Sequence, residues 1–259
     1  MRRVMRAWGV MAKNEITARM SYRFDFVTGI VVSLLGEMLL PVITLVIYST
    51  GAAFPGWSFD EALLIQSIFI MSKAVSSTFF FGMTHIVMEH VREGTFDLFL
   101  IKPVPVSLAA VGMSFSVDGI CVFAGGLAMF VYSLSKIGGA AGWPQFILVF
   151  IMAVLVLLGF TFIMSATMFR WVGNSRIYEI FESLISFGRY PASIYSKAFS
   201  AVITYVIPAA LLGTIPAEAL LRPGGWGNTA LASVFAAVFM GAGYLIWRVM
   251  LRSYSSAGG

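Results

Sequence analysis

Apolar runs long enough to cross a bilayer recur along this chain from Phe26 to Arg252, and no other feature restricts its fold as severely. A hydrocarbon core of about 30 Å takes about 20 helical residues. Segments of that size lie near 26–48, 63–85, 108–132, 144–169, 199–221 and 229–251. In lipid each segment must satisfy its own backbone polar groups, so these runs read as helices. The sequence therefore predicts an all-α polytopic membrane protein with six transmembrane helices. Only 11% of the 259 residues are charged, against roughly a quarter in a soluble domain, which excludes a soluble globular fold. Pro208 and Pro216 interrupt the fifth run and Glu218 follows, so its far end is expected to be broken or re-entrant.

A net charge of +5 and a pI near 9.5 would suggest nucleic acid in a soluble chain. Here the basic residues sort by loop instead. Arg2, Arg3, Arg6, Lys13, Arg19 and Arg23 precede the first run; Arg92 and Lys102 lie in the second loop; Arg170, Arg176, Arg189 and Lys197 in the fourth; Arg248 and Arg252 at the tail. The opposite loops have only Lys136 and Arg222. The positive-inside rule then places both termini and the two longer loops in the cytoplasm, in an inner (plasma) membrane, and leaves no need for a nucleic-acid partner. Before the first run, Val4, Met5, Trp8, Met11 and Ala12 share one side of a helical wheel, with Arg2, Arg6 and Lys13 opposite. This predicts an interfacial amphipathic helix over about 1–25, anchored on membrane lipid by Trp8 and its basic face, ahead of a single transmembrane domain over 26–259. Its six basic residues and lack of a small-residue cleavage pattern argue against a secretory signal.

Catalytic sets are missing from the sequence. It has no G-x-x-x-x-G-K-[ST] phosphate loop. His85 and His90 are five apart, off the i, i+4 spacing that would aim both at one metal, and Ser114 lacks the glycine and histidine of a nucleophile site. One cysteine, Cys121, forms no internal disulfide. The chain is therefore not expected to be an enzyme or to hold a metal or cofactor of its own.

The loop between the second and third runs, about 86–107, reads Glu89-His-Val-Arg-Glu-Gly-Thr-Phe-Asp-Leu-Phe-Leu-Ile-Lys-Pro-Val-Pro. Gly94 breaks the incoming helix, Phe96, Leu98, Phe99 and Leu100 supply apolar knobs, and Lys102-Pro103 closes a short amphipathic helix. Four large apolar residues on such a loop need a cover, and a soluble partner domain is the obvious one. In this loop the chain resembles the permease subunits of type-two ABC exporters, whose loop between spans two and three typically has Glu-x-Gly-Thr followed by leucines and a Lys or Arg-Pro. Here those residues are Arg92-Glu93-Gly94-Thr95-Phe96-Asp97 and Leu98 through Pro103. Arg189-Tyr-Pro-Ala-Ser-Ile-Tyr195, Val206-Ile-Pro-Ala209 and Ile215-Pro-Ala-Glu-Ala-Leu-Leu221 are similar to the viologen-exporter-like branch. The resemblance covers essentially the whole chain. It implies two permeases, of the same chain or a related one, forming a central pathway above two ATPase subunits that carry ATP and Mg. It also implies that 89–103 is the coupling helix, with Glu93, Gly94, Thr95, Phe96, Asp97 and Leu98 at the ATPase contact. The plain alternative is that these residues only fold the loop back onto the protein.

Glu37, Lys73 and Asp118 sit near the middle of the first three runs, where an ionisable group costs at least about 2.5–3.5 kcal/mol. They are expected to face one another rather than lipid. Three readings stay open: a buried ion pair that fixes helix register, a wall of a substrate cavity or dimer seam, and a proton or ion relay. The leading expectation is the membrane pathway of an ATP-driven exporter for a drug, lipid or natural product. The rival is a secondary transporter using those three charges, against which the absence of an internal repeat counts.

Overall fold

The computed structural model describes residues 23–171, 175–224 and 226–255, with Gly9 and Thr17 as isolated positions before them. Arg2, Arg6, Trp8 and Lys13 of the expected interfacial helix lie outside those residues. Every regular element among the described residues is helical. In chain order the helices are α1 (Arg23–Ser49), α2 (Phe59–Phe79), α3 (Met83–Arg92), α4 (Asp97–Leu100), α5 (Val106–Met113), α6 (Asp118–Ile137), α7 (Trp143–Thr167), α8 (Ser175–Ser186), α9 (Lys197–Ala201), α10 (Thr214–Leu221) and α11 (Trp226–Leu251). Five of them, α1, α2, α6, α7 and α11, are long and apolar enough to cross a membrane.

Helix α2 is the axis of the molecule. A capping box starts it, with Ser58 Oγ accepting from the Glu61 N–H and the Glu61 carboxylate accepting from the Ser58 N–H. From Ala62 to Ala74 it is buried almost all round, with α6 and the shorter α8 segment on its flanks. One of its buried polar side chains reaches a neighbouring helix, Gln66 donating to Thr44 of α1 at 2.7 Å. The outer layer is apolar toward lipid, and α1 exposes Val27, Val31, Leu35, Leu39, Val42 and Val46 along most of its length. Helices α7 and α11 form a second pair, crossing where Gly243 lies so close to Gly159 that a Cβ on Gly243 would stand 2.5 Å from the Gly159 carbonyl oxygen. Small residues at such crossings let helices in lipid gain packing where hydrophobic pressure is absent.

The structure departs from the expected spans in three places. The second run does not continue to residue 85: α2 ends at Phe79, and α3 restarts at Met83 after Phe80–Gly82. The third run, expected from 108 to 132, is interrupted at residues 114–117 between α5 and α6. The two interruptions are joined. The Ser116 N–H donates to the Thr78 carbonyl at 3.0 Å, and Ser114 Oγ donates to the Phe79 carbonyl at 3.3 Å. Backbone groups freed by each break are thus partly satisfied by the other, which is the condition for non-helical backbone at membrane depth.

The third departure concerns 199–221. That stretch is α9, a π turn over Val202–Val206, a break at Ile207-Pro208, a 3-10 turn over Ala209–Leu212, and α10. It forms no continuous span. The residues before it, expected to remain in a loop beside Arg92, run the length of α2 instead. Tyr178 packs on Phe81 and His85, Glu182 pairs with Lys73, Arg189 lies over Phe69, and Tyr190 meets Phe54. Ser193 Oγ then donates to the Pro55 carbonyl at 2.8 Å. The broken segment closes at that same end, where the Gly142 N–H donates to the Leu220 carbonyl and Arg222 pairs with Glu61.

Candidate functional site

Two groups of residues stand apart from the apolar packing. The first is a charged cluster between α1, α2 and the α8 segment. Lys73 of α2 places its ammonium 3.2 Å from Glu37 of α1 and 3.3 Å from Glu182 of α8. Arg189 follows α8 and reaches the other Glu37 oxygen at 3.5 Å, with its guanidinium over the Phe69 ring. Two cations and two anions therefore balance, each side chain only 16–25% exposed. Taking one member away would strand a partner in a poorly solvated place.

Beside the cluster is a cavity of about 570 Å³, walled by Glu37, Lys73, Ser77, His85, Ser116, Asp118 and Tyr178. Glu37, Lys73 and Asp118 thus line the same cavity, although the ion pairs of Lys73 run to Glu37 and Glu182. Asp118 accepts from Ser116 Oγ at 3.2 Å, within the joined helix breaks. With His85 neutral, the cavity and its cluster have a net charge of −1. A polar hollow among apolar helices suits water or the polar part of a ligand, since hydrocarbon would leave its hydroxyls and charges unsolvated. Glu182, Arg189, His85 and Tyr178 were not anticipated here. For Glu182 the signal was the i, i+3 spacing of Arg176, Glu179 and Glu182, a charged stripe on a helix that also carries Ile177, Ile180, Phe181, Leu184 and Ile185.

The second group is the loop between α3 and α5. The Glu93 N–H closes α3 on the Glu89 carbonyl, and Gly94 turns the chain at φ +70°, a conformation that glycine adopts without a Cβ penalty. Thr95 fixes the turn twice, its N–H donating to the His90 carbonyl at 2.9 Å and its hydroxyl lying 2.6 Å from His90 Nδ1. The apolar knobs then divide. Phe96 and Phe99 are fully buried against this chain, whereas Leu98, Leu100 and Ile101 are 54%, 48% and 77% exposed. Phe96 stacks on Phe99 at 5.4 Å and meets Phe169 and Tyr254 edge-on at 5.0 and 5.1 Å. Lys102 caps the stack from outside, 4.5 Å above the Phe99 ring. Asp97 is half-buried beside Tyr254, whose phenol pKa is raised by burial and then by the Asp97 charge. What the loop offers outward is Glu93, Leu98, Leu100 and Ile101, held rigid from behind.

Long apolar helices, a polar cavity among them and a rigid loop with an exposed apolar face describe the membrane component of a transporter. The family comparison specifies it further. Residues 34–258 match the family described as ABC-2 family transporter protein, and the chain belongs to that family. It is therefore a multi-pass membrane protein and an ABC-2 type permease. No curated protein and no solved structure matches the chain.

Proposed function

We propose that this permease is the membrane pathway of an ABC exporter of the viologen-exporter-like branch, and that it moves a hydrophobic or amphiphilic substrate outward. A separate ATPase chain, in two copies and holding ATP and Mg, docks on Leu98, Leu100 and Ile101 beside Glu93. A second permease, this chain again or a related one, completes the pathway. Both termini and the 93–103 loop face the cytoplasm of a cell with an inner (plasma) membrane, and Ser175–Ser193, which ends against Pro55, is the fifth crossing of six.

The observation that carries the reading is the loop's exposed apolar face on a buried aromatic base. An apolar patch exposed to water usually marks an interaction surface, and one braced by fully buried rings passes displacement on rather than yielding to it. The charge-lined cavity supports a pathway at the level of Lys73, with room for the polar group of an amphiphile. Purification from the native cell in mild detergent, followed by mass spectrometry, tests it. Co-recovery of an ATPase bearing the phosphate-binding loop is expected. Recovery alone, with transport by reconstituted protein following a proton gradient instead of ATP, would overturn the reading in favour of a relay through Glu37, Lys73 and Asp118.

A further inference from the structure

We propose that Tyr254 is the positioning residue that clamps the docking loop to the α7–α11 pair, so that movement imposed on the loop travels into those two helices. The inference rests on the permease reading above.

The loop's connections are unequal. Toward α2 and α6 it is linked through α3 and α5, and each link is interrupted, at Phe80–Gly82 and at residues 114–117. A helix transmits force poorly where its hydrogen-bond ladder stops, and such points act as hinges. Toward α7 and α11 the connection is a continuous block of rings. Phe96 lies against Phe169, just past the end of α7, and against Tyr254, just past the end of α11. Phe169 in turn meets Trp247 at 5.1 Å and Tyr254 at 5.8 Å. Trp247 is itself buried, and Thr84 of α3 shares a hydrogen bond with Ser165 of α7 at 3.2 Å.

Tyr254 closes this block. It stands after the turn that ends α11, where the Tyr254 N–H bonds back to the Leu251 carbonyl. Among the described residues, the rings touching Phe96 are Phe99, Phe169 and Tyr254, and Tyr254 is the one contributed by the segment following α11. Aromatic pairs of this geometry favour one packed arrangement over its neighbours. With the block intact, the loop, α7 and α11 shift as one body. The joined breaks then flex, and the cavity wall formed by Ser116 within them and by His85 and Asp118 just beyond them changes shape.

The test uses the complex with its ATPase in lipid nanodiscs, spin-labelled at Val131 on α6 and Val238 on α11, both exposed to lipid. In the wild type, trapping with ATP and vanadate is expected to shift the 131–238 distance. Tyr254→Ala is expected to abolish that shift while ATPase co-recovery and basal hydrolysis stay within about twofold, and Tyr254→Phe to restore it. Tyr254→Leu, which keeps apolar volume without a ring, is the variant to read if the alanine protein does not fold. An unchanged shift in either truncation, with the ATPase bound, overturns the clamp. Absence of the ATPase from the wild-type preparation overturns the permease reading instead, and the two failures are distinct because only the second occurs without any substitution.

Discussion

Glu182 brings its carboxylate within 3.3 Å of the Lys73 ammonium, although it belongs to a segment too polar to register as a membrane span. Lys73 is already paired with Glu37, so one cation on α2 ties α1 on one side to α8 on the other. The pairing also explains how Ser175–Arg189 packs against the long apolar helices. Two of its charges, Glu182 and Arg189, are met by Lys73 and Glu37 of longer helices, and it touches the core through Ile185.

Replacing Lys73 with Met is expected to destabilise the protein by about 3 kcal/mol, the lower end for breaking a buried pair because these side chains keep some solvent contact. At roughly 2–4 °C per kcal/mol for a chain of this size, thermal unfolding in detergent should begin about 10 °C lower. Adding Glu182→Gln should recover part of the loss, since the second change removes the carboxylate that the first stranded. Strictly additive losses would show that the two residues do not interact.

The division of the loop's apolar residues makes opposite predictions for neighbouring positions. Leu98→Asp combined with Ile101→Asp alters exposed side chains, so unfolding should shift by less than about 1 kcal/mol, while recovery of the ATPase should fall at least tenfold. Phe96→Ala removes a fully buried ring and is expected to cost about 3–5 kcal/mol whether or not an ATPase is present. Full ATPase recovery with both aspartates in place would refute docking on that face.

The sequence discloses the long apolar elements because composition alone decides whether a helix tolerates lipid. It also brings Glu37, Lys73 and Asp118 toward one another, because an isolated charge has nowhere else to go. The breaks were hidden for a physical reason. Phe79, Phe80 and Phe81 continue an apolar run with no proline, and it is the tertiary bond from Ser116 to the Thr78 carbonyl that makes an interruption tolerable there. Glu182 and Arg189 were hidden by the converse: their charge hides a segment packed on α2 from any hydropathy reading until the partners are known. Within the loop, Phe96 and Leu98 are equally apolar, and only the position of Phe169 and Tyr254 decides which is buried.

Gly243→Ala should be poorly tolerated although alanine is the better helix former. The added methyl would stand 2.5 Å from the Gly159 carbonyl oxygen, a backbone atom that cannot rotate aside. Separation of α7 from α11 is expected to cost about 1–3 kcal/mol. Gly241→Ala is the control, since nothing lies within 4 Å of its Cβ position. That variant should match or exceed wild-type stability by up to about 1 kcal/mol. Equal thermal unfolding of the two variants would mean that the helices do not cross at Gly159.

The course of the chain after Trp171 is open to a direct chemical test. In a Cys121→Ser background, a cysteine at position 193 should react with an impermeant thiol reagent from the same side as one at position 55, because Ser193 is hydrogen-bonded to the Pro55 carbonyl. A cysteine at position 95 should react only from the other side, since α2, α3 and their joining break separate Pro55 from the loop. If instead the span lay at 199–221, position 193 would label together with 95. That result would return Arg189 and Lys197 to the side of Arg92 and leave Glu182 with no reason to be at the depth of Lys73.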